Sequence, residues 1–187
     1  MITKFLKSSN WLKTGLLINL LMITYTAFSQ VHPVASGSAV NFTIHNFGFK
    51  VTGKLDPPQG DIRFNADSLS NSFFHVTIKS GSINTDNNQR DEHLREEDYF
   101  DVKNHPLITF ISDNIRSTGK KNEYEVSGKL TIKNTTKNII IPFTINETGN
   151  DIIFNGSFKM DRRDYGIGGS STISNDLTIE IKVLARP

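Results

Sequence analysis

Apolar and polar residues alternate along most of this chain with a period of two, the signature of half-buried strands. Val40, Phe42 and Ile44 share one face, opposite Asn41, Thr43 and His45. Phe47-Gly48-Phe49 bends or bulges the chain, and Phe49, Val51, Gly53 and Leu55 continue the apolar face. Asp56-Pro57-Pro58-Gln59-Gly60 reads as a turn. Ile62 and Phe64, then Phe74, Val76 and Ile78, resume the pattern. Past residue 107 the inward phase carries Ile108 and Phe110, then Tyr124, Val126, Leu130 and Ile132. Ile139, Ile141, Phe143 and Ile145 follow, then Ile152, Phe154, Phe158 and Met160, and last Leu177, Ile179, Ile181 and Val183.

One stretch breaks the period. Arg90 to Asp98 contains no β-branched residue and is dominated by helix formers such as Glu92, Leu94 and Glu96. It predicts a short helix over about 87–98, with Asp86 as N-cap and Gln89 completing a loose capping box. Pro106 closes the segment and restarts an extended strand. The whole is an all-β chain of about eight or nine strands joined by hairpin-length turns, with no linker or repeat. A single antiparallel sheet with one wet face must hide the other as a barrel or a sandwich. The pattern does not choose between them.

Composition changes this picture at the N-terminus. Lys4, Lys7 and Lys13 precede an apolar run, Leu16 to Ile23, and Ala27-Phe28-Ser29 is a small-x-small cleavage site. Residues 1–29 therefore read as a secretory signal peptide, and 30–187 as one domain without a membrane-spanning segment. The full chain has 21 Lys+Arg against 19 Asp+Glu; without the three leader lysines the remainder has a net charge of −1. No basic field remains to recommend nucleic acid. The cysteine count is zero, which excludes disulfides, Cys-ligated metals and an N-terminal lipid anchor on Cys. The expected address is periplasmic or secreted.

Candidate chemistry is thin. Asp91 and His93 could do acid–base work, but the i, i+4 partner of a zinc helix is missing, since Gln89 and Glu97 flank His93. Gly-x-Ser-x-Gly is absent, and the Gly-rich run from Gly166 has no following Lys and leads into a strand. The plainer reading of Arg90, Asp91 and His93 is structural. Arg90 and Asp91 pin the helix to the sheet through charged hydrogen bonds, with Arg162 as candidate partner. Tyr165 is expected to cover the rim. No metal, cofactor or catalytic residue is assigned.

Four blocks in fixed order carry a resemblance. They are Ser38 to Phe49 with Val51 and Gly53; Ser82-Ile83-Asn84-Thr85, Arg90-Asp91-Glu92-His93-Leu94 and Asp98 to Val102 with Pro106 and Phe110; Gly128 to Ile132 with Thr136-Lys137; and Arg162 with Asp164 to Gly168. From about Gly37 to Ala185 the chain resembles the YceI-like family, whose members include secreted polyisoprenoid-binding proteins. The resemblance implies a lipocalin-like antiparallel barrel of about eight strands, with a helix closing one side. It also implies a long apolar ligand in the lumen, an isoprenoid quinone or a polyprenyl chain, which the chain would sequester or carry.

The expected lining is the inward-phase set: Val40, Phe42, Ile44, Phe49, Val51, Phe64, Phe74, Val76, Ile78, Ile108, Phe110, Val126, Leu130, Ile141, Phe143, Phe154, Phe158, Ile179 and Ile181. Leu94, Tyr99 and Phe100 would form one wall or gate, and Tyr165 the rim. Small barrels either pack shut or hold a ligand, so pattern alone leaves the alternative of a surface or stress-related module with a filled core. Uncovered edge strands would allow two barrels to associate.

Overall fold

Two prolines and one serine decide how this sheet closes. The computed structural model describes residues 30–169 and 172–187. Its strands are β1 (Gln30–Pro33), β2 (Ala39–Asn46), β3 (Phe49–Leu55), β4 (Gln59–Arg63), β5 (Phe73–Lys79), β6 (Leu107–Ser117), β7 (Glu123–Ile132), β8 (Thr135–Thr148), β9 (Asp151–Asp161) and β10 (Ile173–Arg186). All pairings are antiparallel, in the order β1-β4-β5-β6-β7-β8-β9-β10-β2-β3, with β1 also on β10.

β1 and β2 run along one edge of β10 as a single interrupted strand: Pro33 faces Ala185 and Ala39 faces Lys182. The Ser38 hydroxyl fills the interruption, donating to the Val34 carbonyl (2.6 Å) and accepting from the Leu184 N–H (3.0 Å). β3 and β4 are likewise one strand, pairing with β2 and β1 in turn. Between them lie Pro57 and Pro58, which cannot donate to a ladder. The sequence around Asp56–Gly60 therefore kinks a strand and does not reverse it, contrary to the turn expected there. Counted this way, eight strands close an antiparallel barrel, as the resemblance implies.

The reversals elsewhere fall near the expected places. Phe47-Gly48 joins β2 to β3 with positive φ at both residues, 50° and 81°, the conformation of the primed hairpin turns. Lys133, at φ 53°, turns β7 into β8. The core comprises the inward residues of β4 to β10, including Ile62, Ile115, Val126, Ile145 and Val183, each 6% exposed or less. Each such side chain contributes roughly 1.5–3 kcal/mol on burial.

The segment between β5 and β6 fills the place where β3 has no full strand beside it. Lys54 and Asn84 exchange both backbone hydrogen bonds, at 2.8 and 2.9 Å, and that isolated bridge is where the segment meets the edge of β3. Its base is tied shut: Ser80 N–H donates to the Pro106 carbonyl (2.9 Å) and Ser80 Oγ to the His105 carbonyl (2.6 Å). Within it lies α1 (Asn88–Leu94), shorter than the 87–98 expected. Its N-cap is Asn87, whose side chain accepts from Arg90 N–H, while Asp86 sits just outside at φ 58°. Glu96 to Phe100 continue as tight turns, because Tyr99 and Phe100 bend inward and Asp101 takes a positive φ (46°). The expected leader, 1–29, lies outside the described residues.

Candidate functional site: an apolar cavity in the barrel

One end of the barrel is plugged by aromatic rings. Phe64 meets Tyr124, Phe143 and Phe154 edge-on at centroid separations of 5.1, 6.1 and 5.8 Å, and Phe74 meets Phe143 and Phe154 at 5.6 and 5.5 Å. Tyr124 stacks on Phe143 at 5.6 Å. Such pairs add about 0.5–1.5 kcal/mol each beyond area burial. The cluster gathers the second residues of β5 and β7, the residue that follows β4, and Phe143 of β8 and Phe154 of β9 beside them.

Above this floor the interior is hollow. A cavity of about 260 Å³ runs from Phe74, Phe143 and Phe154 toward the end of the barrel that carries α1. That exceeds the ~150 Å³ apolar cavity that suffices for a benzene-sized guest. β2 and β3 contribute Val40, Phe42, Ile44 and Val51; β5 and β6 contribute Val76, Ile78, Ile108 and Phe110. Val126, Leu130, Ile141, Phe158, Ile179 and Ile181 complete the strand walls, and Leu94, Tyr99 and Phe100 the wall beside α1.

Three residues of the expected lining lie elsewhere. Phe49 keeps the inward phase of Val51, but β3 has run past the rim there, and Phe49 is 77% exposed. Phe64 is below the floor, in the aromatic plug. Tyr165 is buried to 2% exposure in the turn Arg162–Tyr165, outside the cavity wall. Its hydroxyl has no hydrogen-bond partner among the described residues. Burial first, and the Asp164 charge second, push its pKa up to about 12.

The wall also contains residues outside the expected set. Leu55, Ile62, Ile132, Ile139, Met160, Leu177 and Val183 belong to the same alternations and were legible by phase. Ile83, Ile167 and Ile173 approach from the segments around α1 and the Gly-rich loop, where no period marks them.

Apart from the Tyr99 hydroxyl, the polar side chains on the wall are Asn46, Thr85, Arg90 and Arg162, all at the end carrying α1. Thr85 organises two of its neighbours. Its N–H and Oγ1 both donate to Asp91 Oδ1, at 2.9 and 2.5 Å, and its Oγ1 and carbonyl accept from Arg90 Nε and Nη2, each at 2.7 Å. Asp91 is 4% exposed and Thr85 6%. These charged hydrogen bonds hold α1 to the loop that bridges β3. Arg162 is not their partner across the mouth. It turns to the Gly-rich loop, donating to the carbonyls of Ile167 (2.6 Å), Ser174 (3.1 Å) and Gly169 (3.3 Å) and to Asn175 Oδ1 (3.2 Å). His93 faces solvent, 2.9 Å from Glu96 Oε2, with its ring 4.7 Å from that of Tyr99.

The Gly-rich loop and the α1 segment touch directly. Gly168 N–H donates to the Asp98 carbonyl at 2.7 Å. At φ +65° Gly168 lies so close that a Cβ there would come within 2.9 Å of both Tyr99 Cε1 and Arg162 Nη1. Glycine is required on conformational and steric grounds alike.

Comparison with known proteins places these features in a family. The model of the YceI-like domain matches residues 31–185. A UPF0312 protein of Pseudomonas savastanoi pv. phaseolicola is 32% identical over 149 residues, covering 76% of this chain and 77% of that protein. Among solved structures, BcnA of Burkholderia cenocepacia has the same fold at a TM-score of 0.77 and 22% identity, covering 81% of this chain and 98% of that one. A polyisoprenoid binding domain from Saccharophagus degradans shares it at a TM-score of 0.65 and 12% identity, over 85% of this chain and 98% of its own. By the span of the family model and the identity to its curated relatives, this protein belongs to the YceI-like domain family.

Proposed function

We propose that the barrel binds a long apolar molecule, a polyisoprenoid chain or an isoprenoid quinone, and sequesters or carries it through an aqueous compartment. The observation that carries this reading is the cavity: hydrocarbon on every strand wall, an aromatic floor, and polar side chains confined to one end. That gradient suits an amphiphile lying tail-down. Each methylene buried contributes roughly 0.8 kcal/mol. A prenyl tail therefore gains enough to offset the cost of association and ordering. The neighbouring Saccharophagus degradans domain is described as polyisoprenoid binding, which supports the same chemistry.

The reading is of a binding protein that makes and breaks no covalent bonds, exported by its leader and working outside the cytoplasm. Solvent extraction of the purified protein followed by mass spectrometry tests the central point. A stoichiometric long-chain lipid is expected. Repeated preparations that yield none, and that take up no added polyprenol, would leave a barrel with an interior but no cargo. N-terminal sequencing of the exported form is expected to begin at Gln30.

A further inference from the structure

The β2–β3 hairpin ends in two phenylalanines that no described residue buries. Phe47 is 72% exposed and Phe49 77%, the two most exposed large apolar residues among those described. Phe47 also occupies a position with φ 50°. Asn, Asp or Gly is the usual occupant of such a turn site, and a bulky side chain there is held at a conformational cost. An aromatic that gains no burial and worsens its own turn is not explained by folding. Strain of that kind points to a task.

We propose that this hairpin tip is a membrane-docking wedge, with Phe47 and Phe49 entering the interfacial region of an anionic bilayer and Lys50 meeting its headgroups. Charge favours that occupant. From Ala39 to Lys54 the hairpin has no acidic residue and carries Lys50, Lys54 and His45, with His45 and Lys50 directly paired across the strands at the base of the tip. Area disfavours a protein partner. Two phenylalanine side chains present roughly 300–500 Å², against about 800 Å² per partner in a stable protein interface. A bilayer needs no complementary shape and rewards aromatic and cationic side chains side by side.

The tip is also placed to matter for cargo, a point that rests on the lipid-binding reading. Asn46, next to Phe47, and Val51, two residues past Phe49, both lie on the cavity wall. The Phe47 N–H and the Asn46 side chain are both held by Thr172, at 3.3 and 3.0 Å, beside Ile173 of the wall. A docked wedge would bring the polar end of the cavity to the lipid surface. The α1 segment at the same end carries the exposed Glu92, Glu96, Glu97 and Asp98, so the contact is confined to the hairpin tip.

The test uses protein purified from an exporting host and vesicles of either phosphatidylcholine alone or equal parts phosphatidylcholine and phosphatidylglycerol. Phe47→Asn with Phe49→Thr removes the wedge while giving the turn a better residue, so folding is preserved and checked by the melting curve. Loss of vesicle affinity by roughly tenfold is expected, from the apolar area withdrawn. Lys50→Glu is expected to weaken binding to the anionic vesicles only. Because the chain has no cysteine, Phe47→Cys carries a single polarity-sensitive dye. Its emission should shift blue on anionic vesicles, while a dye on Lys121→Cys, at the far end of the barrel, should not move. Unchanged vesicle affinity in the double variant, or an unshifted dye at 47, overturns the proposal. So does a double variant that merely passes from dimer to monomer in sedimentation. Mass spectrometry of lipid carried by the parent protein separates the two ideas: a parent that inserts without cargo refutes the lipid-binding reading alone, and a parent that carries cargo without inserting refutes the wedge alone.

Discussion

Phe42 occupies the space that a side chain at position 53 would need. The two residues face each other across β2 and β3, and a Cβ on Gly53 would lie 2.3 Å from Phe42 Cζ. The ring lies over its glycine partner and forms cavity wall at the same time. Gly53→Ala must therefore push the ring inward, since the carbonyl of Asn84, 3.0 Å from the same Cβ position, blocks relief on the other side. Overpacking of this kind costs about 1–3 kcal/mol. Urea unfolding should show that loss, extracted lipid should fall, and Phe42→Leu added to Gly53→Ala should recover part of both. A Gly53→Ala variant as stable as the parent would show that the ring has another place to go.

Asp91 is the acceptor on which the α1 segment depends. Removing it by Asp91→Ala strips the buried Thr85 N–H and hydroxyl of their shared partner. An orphaned buried donor costs about 1–3 kcal/mol. Arg90→Ala removes two further bonds to Thr85 but leaves Asp91 satisfied, so its thermal destabilisation should be the smaller of the two. Both should loosen ligand retention, because Thr85 and Arg90 are wall residues. Melting curves with and without added polyprenol check the order. Equal melting temperatures for Asp91→Ala and the parent would remove the pinning role.

Most of the barrel was legible because a strand's period is fixed by its pleat. Val76 and Ile78, or Ile179 and Ile181, could face only one way once their neighbours were polar. What parity cannot report is depth. Phe49 and Val51 share a phase, yet one stands in solvent and the other on the wall, because nothing in the alternation marks where the barrel ends. Phe64 misled for the same reason at the other end. Asp56–Gly60 misled differently: two prolines break a ladder equally well in a turn and in a kinked strand. Thr85, the hub of the α1 segment, gave no sign of its role. It stands in a loop without period, and its partners lie five and six residues ahead in α1.

Floor and wall should respond differently to truncation. Phe143 is 6% exposed and touches four other rings in the plug. Phe143→Ala should cost about 3–5 kcal/mol, the range for deleting a buried aromatic. Phe158 is only half-buried and faces the cavity without a ring partner among the described residues. Phe158→Ala should cost less in urea unfolding and alter the chain length of co-purified lipid more. The reverse ranking would place the structural weight on the wall.

The Tyr165 hydroxyl gives the barrel an alkaline weakness. It is buried and has no partner among the described residues, and its pKa is raised from 10.0 to about 12. The folded chain thus keeps a proton that the unfolded chain releases first. Its contribution to stability is complete below about pH 10 and is lost as pH rises toward 12. Tyr165→Phe removes both the titration and a hydroxyl that gains nothing in the interior, so near neutral pH the variant should melt at or above the parent temperature. Between pH 10 and pH 12 the gap should widen in its favour. Melting curves of the two proteins across that range isolate Tyr165 from the other titrating groups, which both share. A parent and variant that decline in parallel would mean that the hydroxyl has found a partner or a route to water.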